Sequence, residues 1–370
     1  MSPIRRSLNQ ASGVEVCAIK AGLPEVTRYA AMDGGHGGLA ELSCIEIETL
    51  GGAAVMSRRV NVVGAGIVGL SIAHDLALRG NAVTVIADRS AGESVSGVAA
   101  AVWFPYRSGA SPSLMAWLLG ARKRFEQLAT DCAAGVDLRE GIVVERHMGA
   151  DRSWTEVVPH HQEATADELP SEAVAGVRAT VPVISMPHYL PWLEKRCASL
   201  GVRFVDRTVA SVDDVAGDAD LVVVAAGMGS GVLLNDDSMF PVQGQIVRLA
   251  NPGITEWITD VDNPAGLTYI VPRREDIVCG GVAQVGSWVT EPVAEVEQAI
   301  LRRVVSLMPA LAGLPILSRA TGLRPARDTI RLEHVDGYPV PVIACYGHGG
   351  AGVTLSWGCA EAVADLADQT

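Results

Sequence analysis

The stretch VNVVGAGIVGLSIAHDLALRG at 60–80 decides the fold. Its first residues are apolar enough for a buried strand, and the apolar spacing after Ile67 is that of a helix. Between them lies G-x-G-x-x-G, made by Gly64, Ala65, Gly66, Ile67, Val68 and Gly69. Its three glycines permit, in order, a tight turn, the close approach of a pyrophosphate, and close packing of helix on strand. The helix N-terminus then offers unpaired N–H groups to an anion.

A second apolar strand at 82–87 ends at Asp88. An acidic residue in this place accepts hydrogen bonds from the ribose hydroxyls of a dinucleotide. The whole unit therefore predicts dinucleotide binding and leaves NAD and FAD as alternatives. Arg89 fits either one, because it can reach the 2′-phosphate of NADP or the pyrophosphate of FAD.

A second glycine cluster, CYGHGGAGVTLSWG at 345–358, also lies between a strand and a helix. A simple NAD enzyme has no need of it. A flavin would use it, because reduction leaves negative charge at the N1–C2=O edge of the ring, which a helix N-terminus stabilises. Glycines at 347–352 let backbone N–H groups approach the ring, and Thr354 adds a hydroxyl donor. A glycine-rich connection without a ligand is the alternative interpretation.

Composition excludes several other classes of protein. The chain has 370 residues, 49% of them hydrophobic, and a net charge of −13 without a basic run, which argues against a nucleic-acid partner. No segment reads as a membrane span or a signal peptide, so we expect no membrane contact and a cytoplasmic protein. The 7 cysteines are scattered and form no C-x-x-C. Together with the isolated pair His160–His161, they predict reduced thiols and no metal site.

The alternation of strands and helices at both ends, around a strand-rich middle, predicts an α/β fold. We expect a discontinuous Rossmann-like FAD-binding domain with an inserted, mostly antiparallel β-sheet substrate domain. The predicted boundaries are an N-terminal extension at 1–57, FAD-binding parts at 58–110, 186–240 and 321–370, a mixed substrate or interface part at 111–185, and a substrate sheet at 241–320. The extension does not resemble the rest, and Met56 is the expected functional start.

Four segments resemble the D-amino-acid oxidase family, which includes D-aspartate oxidase. They are GAGIVGLS at 64–71, ADRSAGESVSGVAAAVWFPY at 87–106, TGLRPARDTIRLE at 321–333 and YGHGGAGVTLSWG at 346–358. The likeness runs from about residue 59 to 365. The first 55 or so residues have no counterpart in that family, which agrees with a start at Met56.

The resemblance implies non-covalent, extended FAD and assigns its contacts residue by residue. Gly64 to Gly69 would hold the pyrophosphate, Asp88 the ribose, and Arg89 the adenosine and phosphates. The family's hydroxyl-rich stretch is represented by Ser94 and Ser96, with one hydroxyl missing at Val95. Further contacts would come from Ala99, Ala100, Ala101 and Val102 under the flavin, Val209 at the adenine edge, and Gly349, Gly352, Val353 and Thr354 at the N1–C2=O end. The family usually has glycine where Ala101 stands.

The substrate site is implied by fewer residues. Arg324 matches the arginine that clamps the α-carboxylate, a role that suits a planar, permanently charged fork. It follows a strand and precedes Pro325, so we expect a stiff turn. Tyr269 matches a tyrosine that touches the same carboxylate, and the Gly350 carbonyl would accept a bond from the amine. A tyrosine lid found in some members is missing from NPAGLT at 263–268. Trp103, Tyr106 and Arg107 are expected to shape the pocket.

The implied reaction is hydride transfer from the α-carbon of a neutral D-amino acid to flavin N5, without a general base. O₂ then reoxidises the flavin to give hydrogen peroxide, and the imino acid hydrolyses to a 2-oxo acid and ammonia. One alternative is a D-aspartate oxidase, but Arg273 and Arg274 read as a hairpin turn that points away from the site. Others are a glycine or amine oxidase and an FAD-binding protein without turnover. Family members are often dimers, so a homodimer is expected, although the sequence carries no dimer signature.

Overall fold

The computed structural model describes residues 57–105 and 111–370. The predicted extension at 1–57, its start at Met56 and the pocket residues Tyr106 and Arg107 lie outside these residues, apart from Ser57. At the beginning of the described chain, strand β1 (Arg59–Val63) leads through the glycine turn into helix α1 (Ile67–Leu78) and strand β2 (Ala82–Ala87). This is the strand–turn–helix–strand unit that the sequence predicts.

A parallel sheet forms around β1. It contains β6 (Arg203–Asp206), β7 (Leu221–Val224) and β14 (Val342–His348), in the order β14-β7-β1-β2-β6. The strands read as nearly continuous apolar runs because helices or loops cover both faces. Val60 and Val62 pack on one face, whereas Val63 and Val222 pack on the other, and all four are buried.

Helices cover this sheet and bury its apolar face. The longer ones are α3 (Pro112–Leu128), α4 (Met186–Ser199) and α8 (Gly352–Asp368), and α1 packs against both α4 and α8. The Ser111 side chain caps α3 by accepting a hydrogen bond from the Leu114 N–H. Short helices α2 (Val95–Val98), α5 (Asp213–Ala216) and α6 (Gly229–Leu233) complete this part.

The middle of the chain forms a mostly antiparallel sheet. Its strands are β3 (Val136–Glu145), β4 (His161–Glu163), β5 (Ala175–Ile184), β8 (Phe240–Ala250), β9 (Trp257–Asp260), β10 (Thr268–Pro272), β11 (Asp276–Gly280), β12 (Gln284–Val285) and β13 (Ile316–Val335). Helix α7 (Ala294–Leu307) covers it, and Ile300 and Val304 pack against Val247 and Ile270 in a separate apolar cluster. The mixed α/β fold class is therefore confirmed, while the predicted domain boundaries stay a prediction.

The two kinds of sheet are one continuous sheet, joined by β13. This long strand pairs antiparallel with β8 on one side and with β14 on the other. The expectation of a stiff turn at Arg324 is therefore wrong. Arg324 lies in mid-strand opposite Val242 of β8, and Pro325 is tolerated where it faces Pro241.

No helix among the residues that the structure describes is long and apolar enough to cross a membrane.

Candidate active site

A cavity of about 1670 Å³ opens at the carboxyl ends of β1, β2 and β14 and extends across the middle of β13. This is the edge where open parallel sheets bind ligands. Cavities for one small ligand measure roughly 300–1000 Å³. The larger volume leaves room for a dinucleotide and a small second ligand together.

Two positions accept only glycine, one in the turn after β1 and one in the first turn of α1. Gly64 has φ +113°, and a Cβ there would lie 2.4 Å from the carbonyl oxygen of Ala225. A Cβ on Gly69 would lie 2.0 Å from the Gly64 carbonyl oxygen, so α1 packs directly on the turn. The turn therefore presents bare backbone to the cavity at the N-terminus of a twelve-residue helix.

Two serines of the hydroxyl stretch complete this end of the cavity. Ser96 Oγ accepts a hydrogen bond of 3.0 Å from the Ile67 N–H, at the start of α1. Ser94 caps α2, because its Oγ accepts from the Ser96 N–H at 3.2 Å. Both predicted residues border the cavity, together with Ala65 and Val68.

Asp88 stands at the end of β2 and is paired with its neighbour. Arg89 donates two hydrogen bonds to the carboxylate, at 2.9 and 3.0 Å. These bonds, together with the positive charge, hold the pKa of Asp88 below its usual range. A carboxylate accepts about four hydrogen bonds, so acceptor capacity remains for a ribose. Val209 also borders the cavity near this end.

The segment expected under the flavin is fixed to β5. The Ile184 N–H donates to the Ala101 carbonyl oxygen at 2.8 Å, and Val102 forms an isolated bridge with Val183. Ala101 has φ +61°, which is uncommon for a residue with a Cβ and costs free energy. That backbone explains why a glycine is usual there in the family. Ala99 and Ala100 border the cavity beside it.

The second glycine cluster forms the opposite wall. Gly347 and Gly349 have φ of +86° and +54°, and a short 3₁₀ turn then enters α8 at Gly352. Val353 borders the cavity. Thr354 also borders the cavity, and its contact with the flavin stays a prediction. Its Oγ1 lies 3.1 Å from the Phe104 carbonyl oxygen and donates to it, which ties α8 to the segment before α3.

Arg324 reaches the cavity without a carboxylate partner among the described residues. Its Nη1 donates to the Val282 carbonyl oxygen at 3.0 Å. The guanidinium lies directly over Gly244, where a Cβ would come within 2.5 Å of Nη2. A Cβ on Gly350 would lie 3.7 Å from Arg324 Cδ. The structure therefore brings the two predicted residues, Arg324 and Gly350, together.

The ring of Tyr269 packs against two glycines that the sequence did not single out. A Cβ on Gly280 would lie 2.1 Å from Tyr269 Cζ, and one on Gly281 would lie 2.9 Å from its Oη. Because Val282 follows directly, one short segment supports both Tyr269 and Arg324. The motif CGGV at 279–282 was the available signal.

Arg303 of α7, also missed, braces this segment from behind. It donates to the Gly281 carbonyl oxygen at 2.8 Å and to Thr268 Oγ1 at 3.1 Å. Burial lowers the pKa of this guanidinium. A single arginine on an amphipathic helix gave no signal in the sequence.

Arg273 and Arg274 lie in the turn between β10 and β11, as the sequence predicts, but Arg273 is not exposed there. Its side chain is fully buried and donates to Asp276 at 2.6 Å, which neutralises the charge and permits burial. Arg274 does point outward, toward Asp137 at 3.0 Å. Neither residue borders the cavity.

Asp236 lies in the loop between α6 and β8, and its side chain is nevertheless largely buried. Its side chain is 7% exposed and accepts hydrogen bonds from Arg327 Nε at 3.0 Å and from the Tyr346 hydroxyl at 2.8 Å. Burial opposes ionisation, but the bonds from Ser238 and Tyr346 and the charge of Arg327 outweigh it. The pKa of Asp236 therefore lies well below its usual range.

Three residues within and directly after the second glycine cluster lie close together, although the sequence did not group them. Cys345, His348 and Cys359 are buried, and their potential ligand atoms all lie within 4.8 Å of one another. A hydrogen bond from Cys359 and the neighbouring His348 lower the pKa of Cys345 below its usual value. Burial instead raises the pKa of Cys359. The other described cysteines, Cys132, Cys197 and Cys279, are also free thiols.

The cavity fits an FAD in two respects. Its glycine turns offer bare backbone to a pyrophosphate at one end and to a ring at the other. Two buried side-chain oxygens that border it, Thr259 Oγ1 and Thr321 Oγ1, have no hydrogen-bond partner among the described residues. Buried polar atoms normally have partners, so these two mark places that a ligand would occupy.

Comparison with known proteins agrees with this geometry. Residues 59–366 match the family model for DAO, described as FAD dependent oxidoreductase. D-amino-acid oxidase from Rubrobacter xylanophilus is 43% identical over 85% of this chain and 96% of its own. D-amino-acid oxidase from Streptomyces coelicolor is 38% identical over 83% and 96%, and human D-aspartate oxidase is 32% identical over 84% and 95%. Glycine oxidase from Geobacillus kaustophilus shares the fold, with a TM-score of 0.72 at 18% identity, covering 85% of this chain and 96% of that one.

Proposed function

The chain belongs to the DAO family of FAD-dependent oxidoreductases, and on that premise we propose that it oxidises neutral D-amino acids. The D-amino acid, O₂ and water are converted to a 2-oxo acid, ammonia and hydrogen peroxide. D-amino-acid oxidases at 43% and 38% identity over most of the chain support the reaction class.

The observation that carries this proposal is the environment of Arg324. Among the described residues, four arginines border the cavity: Arg89, Arg207, Arg324 and Arg327. Arg89 is paired with Asp88, Arg327 is paired with Asp236, and Arg207 donates to the Asp214 carbonyl oxygen. Arg207 and Arg324 therefore each have only a backbone carbonyl partner among the described residues. Of these two, Arg324 lies beside Gly350, so it can offer a guanidinium fork to the α-carboxylate of a substrate.

Three groups would hold the substrate in one orientation. Arg324 and the Tyr269 hydroxyl would donate to the carboxylate, and the Gly350 carbonyl oxygen would accept from the amine. With carboxylate and amine both fixed, only one enantiomer directs its α-hydrogen toward the cofactor. Orientation of this kind supplies much of the rate enhancement, so no general base is required.

FAD, when bound, supplies the two-electron acceptor for the α-hydrogen and passes the electrons to O₂. The chain's contribution is to hold it. Gly64, Gly66 and Gly69 would cradle the pyrophosphate, Asp88 would accept from the ribose, and the α8 N-terminus at Gly352 would stabilise negative charge at the ring.

The arrangement of arginines around the cavity favours a substrate with a neutral side chain over one with an acidic side chain. A D-aspartate oxidase needs a second cation near Arg324 for the side-chain carboxylate. Among described cavity residues the nearest along the chain is Arg327, which Asp236 already neutralises. Arg273 and Arg274 are engaged with Asp276 and Asp137. D-aspartate oxidation is the second candidate, because human D-aspartate oxidase is 32% identical.

A substrate panel tests the proposal. Peroxide production is measured with D-alanine, D-methionine, D-aspartate, glycine and the L-enantiomers, on protein carrying FAD. Activity on neutral D-amino acids, with little on D-aspartate or glycine, is the expected result. Preference for D-aspartate or glycine would select the alternative, and bound FAD without any turnover would indicate a binding protein. We further propose a cytoplasmic location and a homodimer, which fractionation and sedimentation would test.

A further inference from the structure

We propose that Cys345, Cys359 and His348 form a binding site for a soft divalent cation of the Zn²⁺ class, in the wall of the cofactor cavity. This site is independent of the proposed oxidase activity. It is assembled by residues from two elements, since Cys345 and His348 lie on β14 and Cys359 lies on α8.

The distances suit such an ion. All three ligand atoms lie within 4.8 Å of one another. Around a tetrahedral Zn²⁺, with Zn–S near 2.3 Å and Zn–N near 2.0–2.1 Å, ligand atoms are roughly 3.5–3.8 Å apart. Shifts of about 1 Å or less, within the reach of thiol rotation and a ring adjustment, would therefore complete the geometry.

An independent observation points to a missing ligand. His348 is 8% exposed, and its Nε2 is buried without a hydrogen-bond partner among the described residues. An unsatisfied buried nitrogen is unfavourable, and a bound cation would give it a partner. By contrast, the buried thiol of Cys197 already donates to the Leu70 carbonyl oxygen.

Charge and chemistry select the kind of cation. Two thiolates neutralise a divalent ion, so the complex can stay in a buried place without net charge. Thiolate and imidazole ligands favour Zn²⁺ and similar ions over Mg²⁺ or Ca²⁺, which require oxygen. Binding forms two metal–sulfur bonds, and each thiol that is still protonated releases its proton to solvent.

The site has a route to solvent. Cys345 and His348 both border the cofactor cavity, although they are buried. A cation can arrive through this cavity, and a water from it can take the fourth position that three protein ligands leave open.

The test uses Cd²⁺ as the probe, because thiolate–Cd²⁺ bonds give an ultraviolet charge-transfer band. The full-length chain is titrated both with FAD bound and after removal of the flavin. A background variant, C17S/C44S/C132S, retains Cys197, Cys279, Cys345 and Cys359 as its thiols. Cys345→Ser and Cys359→Ser are then made in this background, with Cys197→Ser as the matched control.

The proposal predicts a saturable band at about one cation per chain, displaced by Zn²⁺ and not by Mg²⁺. Affinity should fall at least tenfold in Cys345→Ser and Cys359→Ser and stay unchanged in Cys197→Ser. His348→Gln should weaken binding, but the intensity of the charge-transfer band at saturation should be unchanged, because both thiolates remain. No saturable band in either form, or a band that neither Cys345→Ser nor Cys359→Ser weakens, would overturn the proposal.

A second measurement covers variants that fail to fold. The C17S/C44S/C132S protein, with Cys345 and Cys359 intact, is alkylated with and without Zn²⁺, and each cysteine is followed by mass spectrometry. Protection of Cys345 and Cys359, with Cys197 and Cys279 unaffected, is expected. Equal alkylation of Cys345 and Cys359 with and without Zn²⁺, in urea at which both thiols react in the Zn²⁺-free protein, would contradict the site.

Discussion

Replacing Arg324 with lysine removes the guanidinium fork and keeps a positive charge. In the structure the fork lies flat over Gly244 and uses one N–H on the Val282 carbonyl oxygen, which leaves the rest for a carboxylate. Lysine is a point charge and can replace only one of two parallel bonds. A hydrogen bond to a charged group contributes about 1.5–3 kcal/mol, so kcat/KM should fall roughly 10- to 150-fold. Arg324→Met, which leaves the carboxylate without a cation, should lose roughly 30- to 5000-fold, from about 2–5 kcal/mol.

The assay is the initial rate of peroxide formation over a range of D-alanine concentrations, on enzyme saturated with FAD. Arg319→Lys is the matched control, because Arg319 lies on the same strand and pairs with Glu297 at the surface at 2.5 Å. Its kcat/KM should stay within about twofold of the parent, as expected for an exposed pair. FAD content, read from the visible spectrum, should be unchanged in all three variants. Arg324→Lys with the kcat/KM of the parent would refute the assignment of the carboxylate clamp.

Three further substitutions test other parts of the structure. Gly280→Ala places a Cβ 2.1 Å from the ring of Tyr269. The KM for D-alanine should therefore rise, and the free energy of unfolding should fall by about 1–3 kcal/mol. Gly92→Ala is the control, because a Cβ there has nothing within 4 Å, and it should change neither quantity. Gly69→Ala pushes α1 off its strand and should weaken FAD binding at least tenfold in a fluorescence titration, and normal affinity would contradict the cradle. Asp236→Asn should lower the urea-derived free energy of unfolding by about 1.5–3 kcal/mol at pH 7. Because the folded pKa of Asp236 is depressed, that difference should shrink as pH falls below about 4, and a constant gap would show that the charge is not involved.

Local motifs in the sequence predict the nucleotide end of the site well. The turn at Gly64–Gly69 and the second cluster at 345–358 carry their own backbone requirements, because steric exclusion of a Cβ is written into consecutive residues. Strand and helix positions follow for the same reason, since apolar periodicity is local.

The substrate end depends on contacts between distant segments, which local patterns do not encode. Gly244, Gly280 and Arg303 act on Arg324 and Tyr269 only because β8, β11 and α7 are adjacent in the folded chain. For the same reason the sequence does not predict that Arg273 and Asp236 are buried, since both lie in polar stretches. Their burial depends on partners that only the tertiary structure supplies.

The central claim is most directly tested by the visible spectrum of the purified protein without oxygen, before and after addition of D-alanine, with L-alanine as the control. The account predicts flavin bands that D-alanine bleaches and L-alanine leaves unchanged, with the bands returning when oxygen is admitted. A spectrum without flavin bands, or bands that respond equally to both enantiomers, would contradict it.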